Sequence, residues 1–121
     1  MPINPETTHR GNLLAGIPEK LPEEIFETLI DQPDIRIERI LSKNHSSPDS
    51  GWYDQPEDEW VMLLQGSARL ELNRSEDPIV ELAAGDYLLL PAHCRHKVLW
   101  TSSEPVCVWL AIFFRSANSP E

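Results

Sequence analysis

Gly85-Asp86-Tyr87-Leu88-Leu89-Leu90-Pro91-Ala92-His93-Cys94-Arg95-His96 sets out a turn, a short apolar strand, a proline stop, a second turn and a histidine opening the next strand. Gly and Asp favour the first turn, and Pro91 has no amide hydrogen with which to continue a ladder. That order delivers an imidazole to one defined place at the mouth of a β-structure. Upstream stands an acidic counterpart: Glu59 precedes the apolar run Trp60-Val61-Met62-Leu63-Leu64, which a glycine, Gly66, turns back. The run reads as a strand buried on both faces. One carboxylate and one imidazole, each at the edge of a strand, suggest a small β-barrel with a ligand or metal site inside.

The same signal continues outward. Ile35 and Ile37 alternate with Arg36 and Glu38, and the break at Arg39-Ile40-Leu41 predicts a bulge. Lys43 to Gly51 is a polar loop. Ala68–Leu72, Ile79–Leu82, Tyr87–Leu90, His96–Trp100 and Val106–Phe114 read as further strands between turns. About seven or eight short strands with no helix between them mean a sandwich or barrel rather than a parallel α/β sheet. The fold class is all-β.

Before the strands, residues 1–20 carry three prolines, two glycines and little periodicity, and read as an extended arm. Leu21 to Ile30 predicts one short helix over 22–31. Pro22, Glu23 and Glu24 suit a first turn, and Ile25, Phe26, Leu29 and Ile30 share a helical face. Residues 21–115 then form a single barrel domain including that helix, and 116–121 a polar tail. A chain of 121 residues buries one core, not two.

Twenty acidic residues against ten basic ones give a formal charge of −10 and no basic run to neutralise phosphates, so nucleic acid and anionic membrane surfaces are poor partners. No apolar stretch reaches the roughly 20 residues of a bilayer span. The start Met1-Pro2-Ile3-Asn4-Pro5-Glu6 lacks the basic and apolar segments of a secretory signal. Cys94 and Cys107, the only cysteines, make no disulfide framework and suggest a reducing, cytoplasmic setting.

At this point the residues resemble the cupin superfamily, small jelly-roll β-barrels. The second cupin motif runs Gly, five residues, Pro, one residue, Gly, two residues, His, then three residues and often Asn. Gly85, Pro91 and His96 fall on that spacing, with His93 at the second glycine and Trp100 at the Asn. The first motif ends Glu, six residues, Gly, which Glu59 and Gly66 match. The resemblance covers roughly residues 53–100 and implies a cupin-type jelly-roll barrel.

The first motif also carries a His-x-His pair three or four residues before the Glu, and here the chain departs from it. One alignment puts Tyr53 and Gln55 at those positions, the other Trp52 and Asp54. The first is preferred because Gln55 offers an oxygen donor. The resemblance then implies a metal site of Gln55, Glu59 and His96, with a divalent transition metal (Fe, Mn, Ni or Zn) and open positions for water or substrate.

Each assignment stands beside a plainer one. His96 could be a hydrogen-bonded core histidine, and Glu59 the last member of the solvated patch Glu57-Asp58-Glu59. An inward Glu59 needs a cation or a donor and should titrate high without metal. Tyr53, His93 and Trp100 are candidate substrate-binding residues: Tyr53 as a pocket phenol, Trp100 by strand parity with His96. His93 fits equally a turn residue of positive φ facing outward. His45 is a loop histidine within reach of the barrel mouth, and Cys94 lacks a base in fixed geometry.

Two function classes follow. The first is a metal-binding cupin acting on or binding a small polar metabolite, an organic acid or a sugar derivative, with no catalytic residue assigned. The second is a non-catalytic ligand-binding, sensor or structural barrel with a degenerate metal site. Exposed sheet edges, and the resemblance, imply a homodimer in which the arm and Ile25, Phe26, Leu29 and Ile30 lie at the interface.

Overall fold

The computed structural model describes residue 6, residues 8–48 and residues 51–115. Of the expected arm, residues 1–5 and 7 lie outside the described residues, as does the 116–121 tail. Eight strands are described: β1 (Ile25–Gln32), β2 (Ile35–Ser42), β3 (Asp58–Gln65), β4 (Ser67–Leu72), β5 (Ile79–Ala83), β6 (Tyr87–Leu90), β7 (His96–Thr101) and β8 (Cys107–Phe114). They form a five-stranded sheet ordered β1-β2-β8-β3-β6 and a three-stranded sheet ordered β5-β4-β7, all neighbours antiparallel. Two sheets face to face, with apolar residues at alternate positions turned inward, make the barrel.

Its core lies between them. Val61 and Leu63 of β3, Leu70 and Leu72 of β4, Leu90 of β6 and Ala111 of β8 are buried in one cluster. A second cluster, Leu21, Leu41 and Val108, sits on the opposite face of the larger sheet, with Ile17 and Ile25 against it. The arm is what covers that face. Arg39, itself buried, donates to the carbonyls of Leu13 and Ala15 at 3.0 and 2.6 Å, and Lys43 Nζ reaches Glu19 O at 3.1 Å. His45 takes part in the same anchoring, its Nε2 3.0 Å from Pro22 O and its Nδ1 accepting from Lys43 N at 2.8 Å.

Three expectations are corrected. The segment expected as a helix over 22–31 is strand β1, paired with β2 from Ile25↔Leu41 to Gln32↔Ile35. A ladder with β2 satisfies its backbone, and Glu27 lies opposite Arg39, whose guanidinium donates to its carboxylate at 2.8 Å. Those cross-strand bonds outweigh the weak helical signal of Pro22-Glu23-Glu24. The bulge falls at Leu29 of β1, not at Arg39-Ile40-Leu41 of β2. Ile40 and Leu41 are consecutive apolar residues because the two faces of β2 are both covered, one by the barrel interior and one by the arm. Strand β3 is fully buried on one face only: Val61 and Leu63 point inward, while Trp60, Met62 and Leu64 are half-buried. Among the described residues no helix is long and apolar enough to cross a membrane.

Gly66 marks the closed end of the barrel. Its φ is +94°, and a Cβ there would lie 2.8 Å from Cys107 Sγ and 2.9 Å from both Cys107 Cα and Ser102 Oγ. Gly85 has a similar φ of +96° with nothing within 4 Å. Gly66→Ala should therefore cost roughly 2–5 kcal/mol, backbone strain plus overpacking, whereas Gly85→Ala should cost only about 1 kcal/mol. Urea unfolding of the two variants checks this; equal losses would mean that the clash at Gly66 relaxes freely.

Candidate functional site

At the other end the barrel is open. A cavity of about 200 Å³ lies between the sheets, walled by Val61, Leu70, Leu90, Val98, Trp109 and Phe113. Tyr53, Gln55, Glu59 and His96 reach into it from three elements. Glu59 stands near the start of β3, opposite Leu90 on one side and Phe113 on the other, so alternation turns it inward with Val61 and Leu63. His96 is the first residue of β7.

Tyr53 and Gln55 belong to an irregular segment before β3 that is stitched onto the chain leading into β7. Tyr53 N donates to His96 O at 2.7 Å, His96 N to Tyr53 O at 3.1 Å, and His93 N to Gln55 O at 2.9 Å. These bonds lay the Tyr53 ring on the imidazole, centroids 5.4 Å apart. They also bring Gln55 Nε2 to Glu59 Oε1, to which it donates at 2.8 Å.

Glu59 is 7% exposed and His96 6%. Burial pushes the Glu59 carboxyl above the ordinary carboxylate range, and the Gln55 hydrogen bond and the His96 imidazole only partly oppose it. His96 Nδ1 lies 3.0 Å from Cys94 O, an acceptor only, so Nδ1 donates and Nε2 is left turned toward the cavity. Nε2 is 3.6 Å from Glu59 Oε1. Burial also raises the Tyr53 phenol, as do the carboxylates of Glu24 and Glu59, against a hydrogen bond with Ser47. The phenol stays protonated and is a donor.

Tyr53, Gln55, Glu59 and His96 are thus brought together. His93 and Trp100 are not. His93 occupies its turn with φ +63° and is exposed, its Nδ1 2.8 Å from Asp54 Oδ1. That bond, with Arg95 as a lesser partner, holds the Asp54 carboxyl below its ordinary range. Trp100 loses its parity with His96 because β7 is bulged: Leu70 pairs with Val98 but Arg69 with Trp100, leaving Leu99 as the extra residue. Trp100 therefore lies on the outer face and Val98 lines the cavity.

Sequence reasoning missed Glu24. It lines the cavity just ahead of β1, where its Oε2 accepts from Ser42 Oγ at 2.6 Å; Ser42 Oγ in turn accepts from Trp109 Nε1 at 3.3 Å. Glu24 and Ser42 meet only through the β1–β2 ladder, so no local pattern signals the contact.

The donor set can be tested against a divalent transition metal. Ligands bound at about 2.1 Å to one ion lie about 3.0–3.4 Å apart, and the 3.6 Å between Glu59 Oε1 and His96 Nε2 is a few tenths from that. The Cys94 carbonyl fixes the imidazole with Nε2 free, the arrangement a ligating histidine needs. Gln55 would have to turn its oxygen inward. Among the described residues no group of three His, Cys, Asp or Glu comes together. The residues fit an open site of two strong donors and one amide.

Comparison with known proteins bears on the family and the fold. The Cupin_2 family, described as a cupin domain, matches residues 42–113. The crystal structure of a "putative mannose-6-phosphate isomerase" from Ralstonia eutropha JMP134 is 43% identical, with a TM-score of 0.85 over 90% of this chain and 100% of that one. A cupin superfamily protein from Desulfitobacterium hafniense DCB-2 is 19% identical, with a TM-score of 0.71 over 91% of this chain and 94% of that one, and shares the fold. Among curated proteins none matches the chain.

Because the folded pKa of Glu59 is raised above 4.5, its contribution is fully present below pH 4.5 and is lost as pH rises through the folded value. Glu59→Gln keeps an acceptor for Gln55 and removes that loss. The Tm advantage of the variant should be near zero at pH 4 and grow above pH 4.5 to a plateau; thermal unfolding across pH checks it, and a constant offset would contradict it.

Proposed function

This chain belongs to the cupin superfamily, and from that premise we propose that its barrel takes up a small polar metabolite, with Glu59 and His96 as the working pair. The observation that carries the reading is the pair itself, buried 3.6 Å apart at the open end of an apolar cavity, with Gln55 bonded to the carboxyl. Apolar walls with a few convergent polar groups are the usual form of a small-ligand site. The name of the Ralstonia eutropha relative favours a sugar derivative over other polar metabolites.

The pair is suited to proton transfer. Glu59, held toward its protonated form, donates; the His96 Nε2 lone pair accepts; Tyr53 OH hydrogen-bonds a ligand oxygen at the mouth. A hydroxy-carbonyl compound lying across both could exchange a proton between neighbouring atoms. Glu59, His96 and Gln55 would also hold a divalent transition metal, which when bound supplies Lewis-acid polarisation of a ligand oxygen. The second reading, a binding or sensor barrel without turnover, is favoured by the absence of a third strong metal donor among the described residues.

Retained and reconstituted Fe, Mn, Ni and Zn, measured by plasma mass spectrometry, tests the two. Metal held by the wild type and lost in both His96→Ala and Glu59→Ala supports the metal-binding reading. Metal content unchanged in the variants, or none after reconstitution, overturns it in favour of the metal-free barrel.

We further propose a homodimer across β1, the edge of the larger sheet, where Phe26 and Leu29 are exposed. The free thiols Cys94 and Cys107 support a reducing, cytoplasmic setting. Phe26→Asp and Leu29→Asp should each give monomer or aggregate by light scattering on a sizing column; an unchanged dimer in both removes the interface from this edge.

A further inference from the structure

The cavity has an electrostatic character that its relative's name does not suggest. Two carboxyl groups face it, Glu59 from β3 and Glu24 from the end of the arm, and among the described residues that line it there is no Lys or Arg. The one lining side chain able to carry positive charge is His96, and Glu59 already stands 3.6 Å from its Nε2. Arg36, the nearby cation, does not line the cavity. Its guanidinium lies 4.2 Å from the centroid of the Phe113 ring and bonds Glu38 at 3.0 Å and Glu57 at 2.9 Å. An anion entering the cavity would give up water and meet the Glu24 carboxylate instead of a cationic side chain, and burying an unpaired charge is costly.

Glu24 is held in that role. The Ser42 hydroxyl that bonds its Oε2 is fully buried and is itself oriented by the Trp109 indole. A carboxylate accepts up to about four hydrogen bonds, and Ser42 takes one. The rest of the group is available to hydroxyl donors of a ligand resting on Trp109. A volume of about 200 Å³ is below the roughly 300–1,000 Å³ of drug-sized pockets, which suits a molecule of one small ring or chain.

We propose that the ligand of this cavity is an uncharged, polyhydroxylated small molecule, and that Glu24 is the specificity-determining residue that rejects carboxylated and phosphorylated ones. This rests on the reading of the barrel as a ligand site and narrows it: free sugars and polyols are taken, organic acids and sugar phosphates are not.

The test is a binding titration of the full chain, metal-free and zinc-loaded, with matched pairs: free hexoses beside their 6-phosphates, mannose among them, and lactamide beside lactate. Chemical shifts of the His96 ring report occupancy of the cavity. The wild type should bind the neutral member of each responding pair at least about tenfold more tightly, the scale of a like-charge penalty. Glu24→Gln, which keeps an acceptor for Ser42, should close most of that gap, and Glu24→Lys should reverse it. Tighter binding of the anionic members by the wild type overturns the proposal while leaving the ligand-site reading intact. A ratio unmoved in both variants removes Glu24 from the role. If no member of any pair shifts the His96 signals, the ligand-site reading itself fails and this inference with it.

Discussion

Two antiparallel sheets joined only by their connecting chain would slide; hydrogen bonds between them at both ends of the barrel help fix their relative position. At the open end Tyr53 and His96 exchange two bonds of 2.7 and 3.1 Å, tying the approach to β3 of the large sheet to the start of β7 in the small one. At the closed end Ser67 and Ser102 extend the β4–β7 pairing of the small sheet, with Ser67 N donating to Ser102 Oγ at 3.1 Å and Ser102 N to Ser67 O at 2.9 Å, and Cys107 Sγ of the large sheet donates across to Ser67 O at 3.1 Å. That knot leaves no room for a Cβ at Gly66. The functional side chains gather at the looser end. Tyr53, Gln55 and His96 all owe their positions to one short run of main-chain bonds, so the site is set by backbone rather than by side-chain packing.

The site works against the fold that carries it. Burying the Glu59 carboxyl among Val61, Leu90 and Phe113 favours its neutral form, and the Gln55 amide and the imidazole do not fully offset this. A carboxyl of raised pKa beside an imidazole turned toward the cavity is, however, suited to proton exchange with a ligand. Every buried side-chain polar atom among the described residues has a partner, so the arrangement is complete in the free protein.

The parts of this design legible in the sequence are those where the backbone restricts the residue. Gly66 and Gly85 need positive φ, Pro91 ends a strand, and His93 takes a turn position at φ +63°; these give the spacing from which the barrel and His96 can be read. What was not legible depends on register. Trp100 faces outward because one residue, Leu99, is left over against β4. The segment at Ile25 has an amphipathic pattern compatible with helix, and only its pairing with β2 makes it strand. Glu24 is an unremarkable acid after a proline until that pairing sets it beside Ser42 and Trp109. A one-residue slip in any of these ladders would move a side chain to the other face without changing the composition.

The division between family and individual chain follows the same line. The stretch matched to the cupin family, 42–113, contains Tyr53, Gln55, Glu59, His96 and Trp109. Glu24 and Phe26 lie outside it, yet both line the mouth. The β1–β2 ladder sets both there, while bonds from Arg39 to Leu13 and Ala15, Lys43 to Glu19 and His45 to Pro22 tie down the chain ahead of them. On the proposed reading the barrel provides the acid and the imidazole, while the segment ahead of β2 closes one wall and adds the Glu24 carboxyl. Two cupins with the same acid and imidazole but different arms would present different mouths to solvent. Selectivity in this chain is therefore to be sought in residues 13–28, where sequence patterns of the barrel motif have nothing to say.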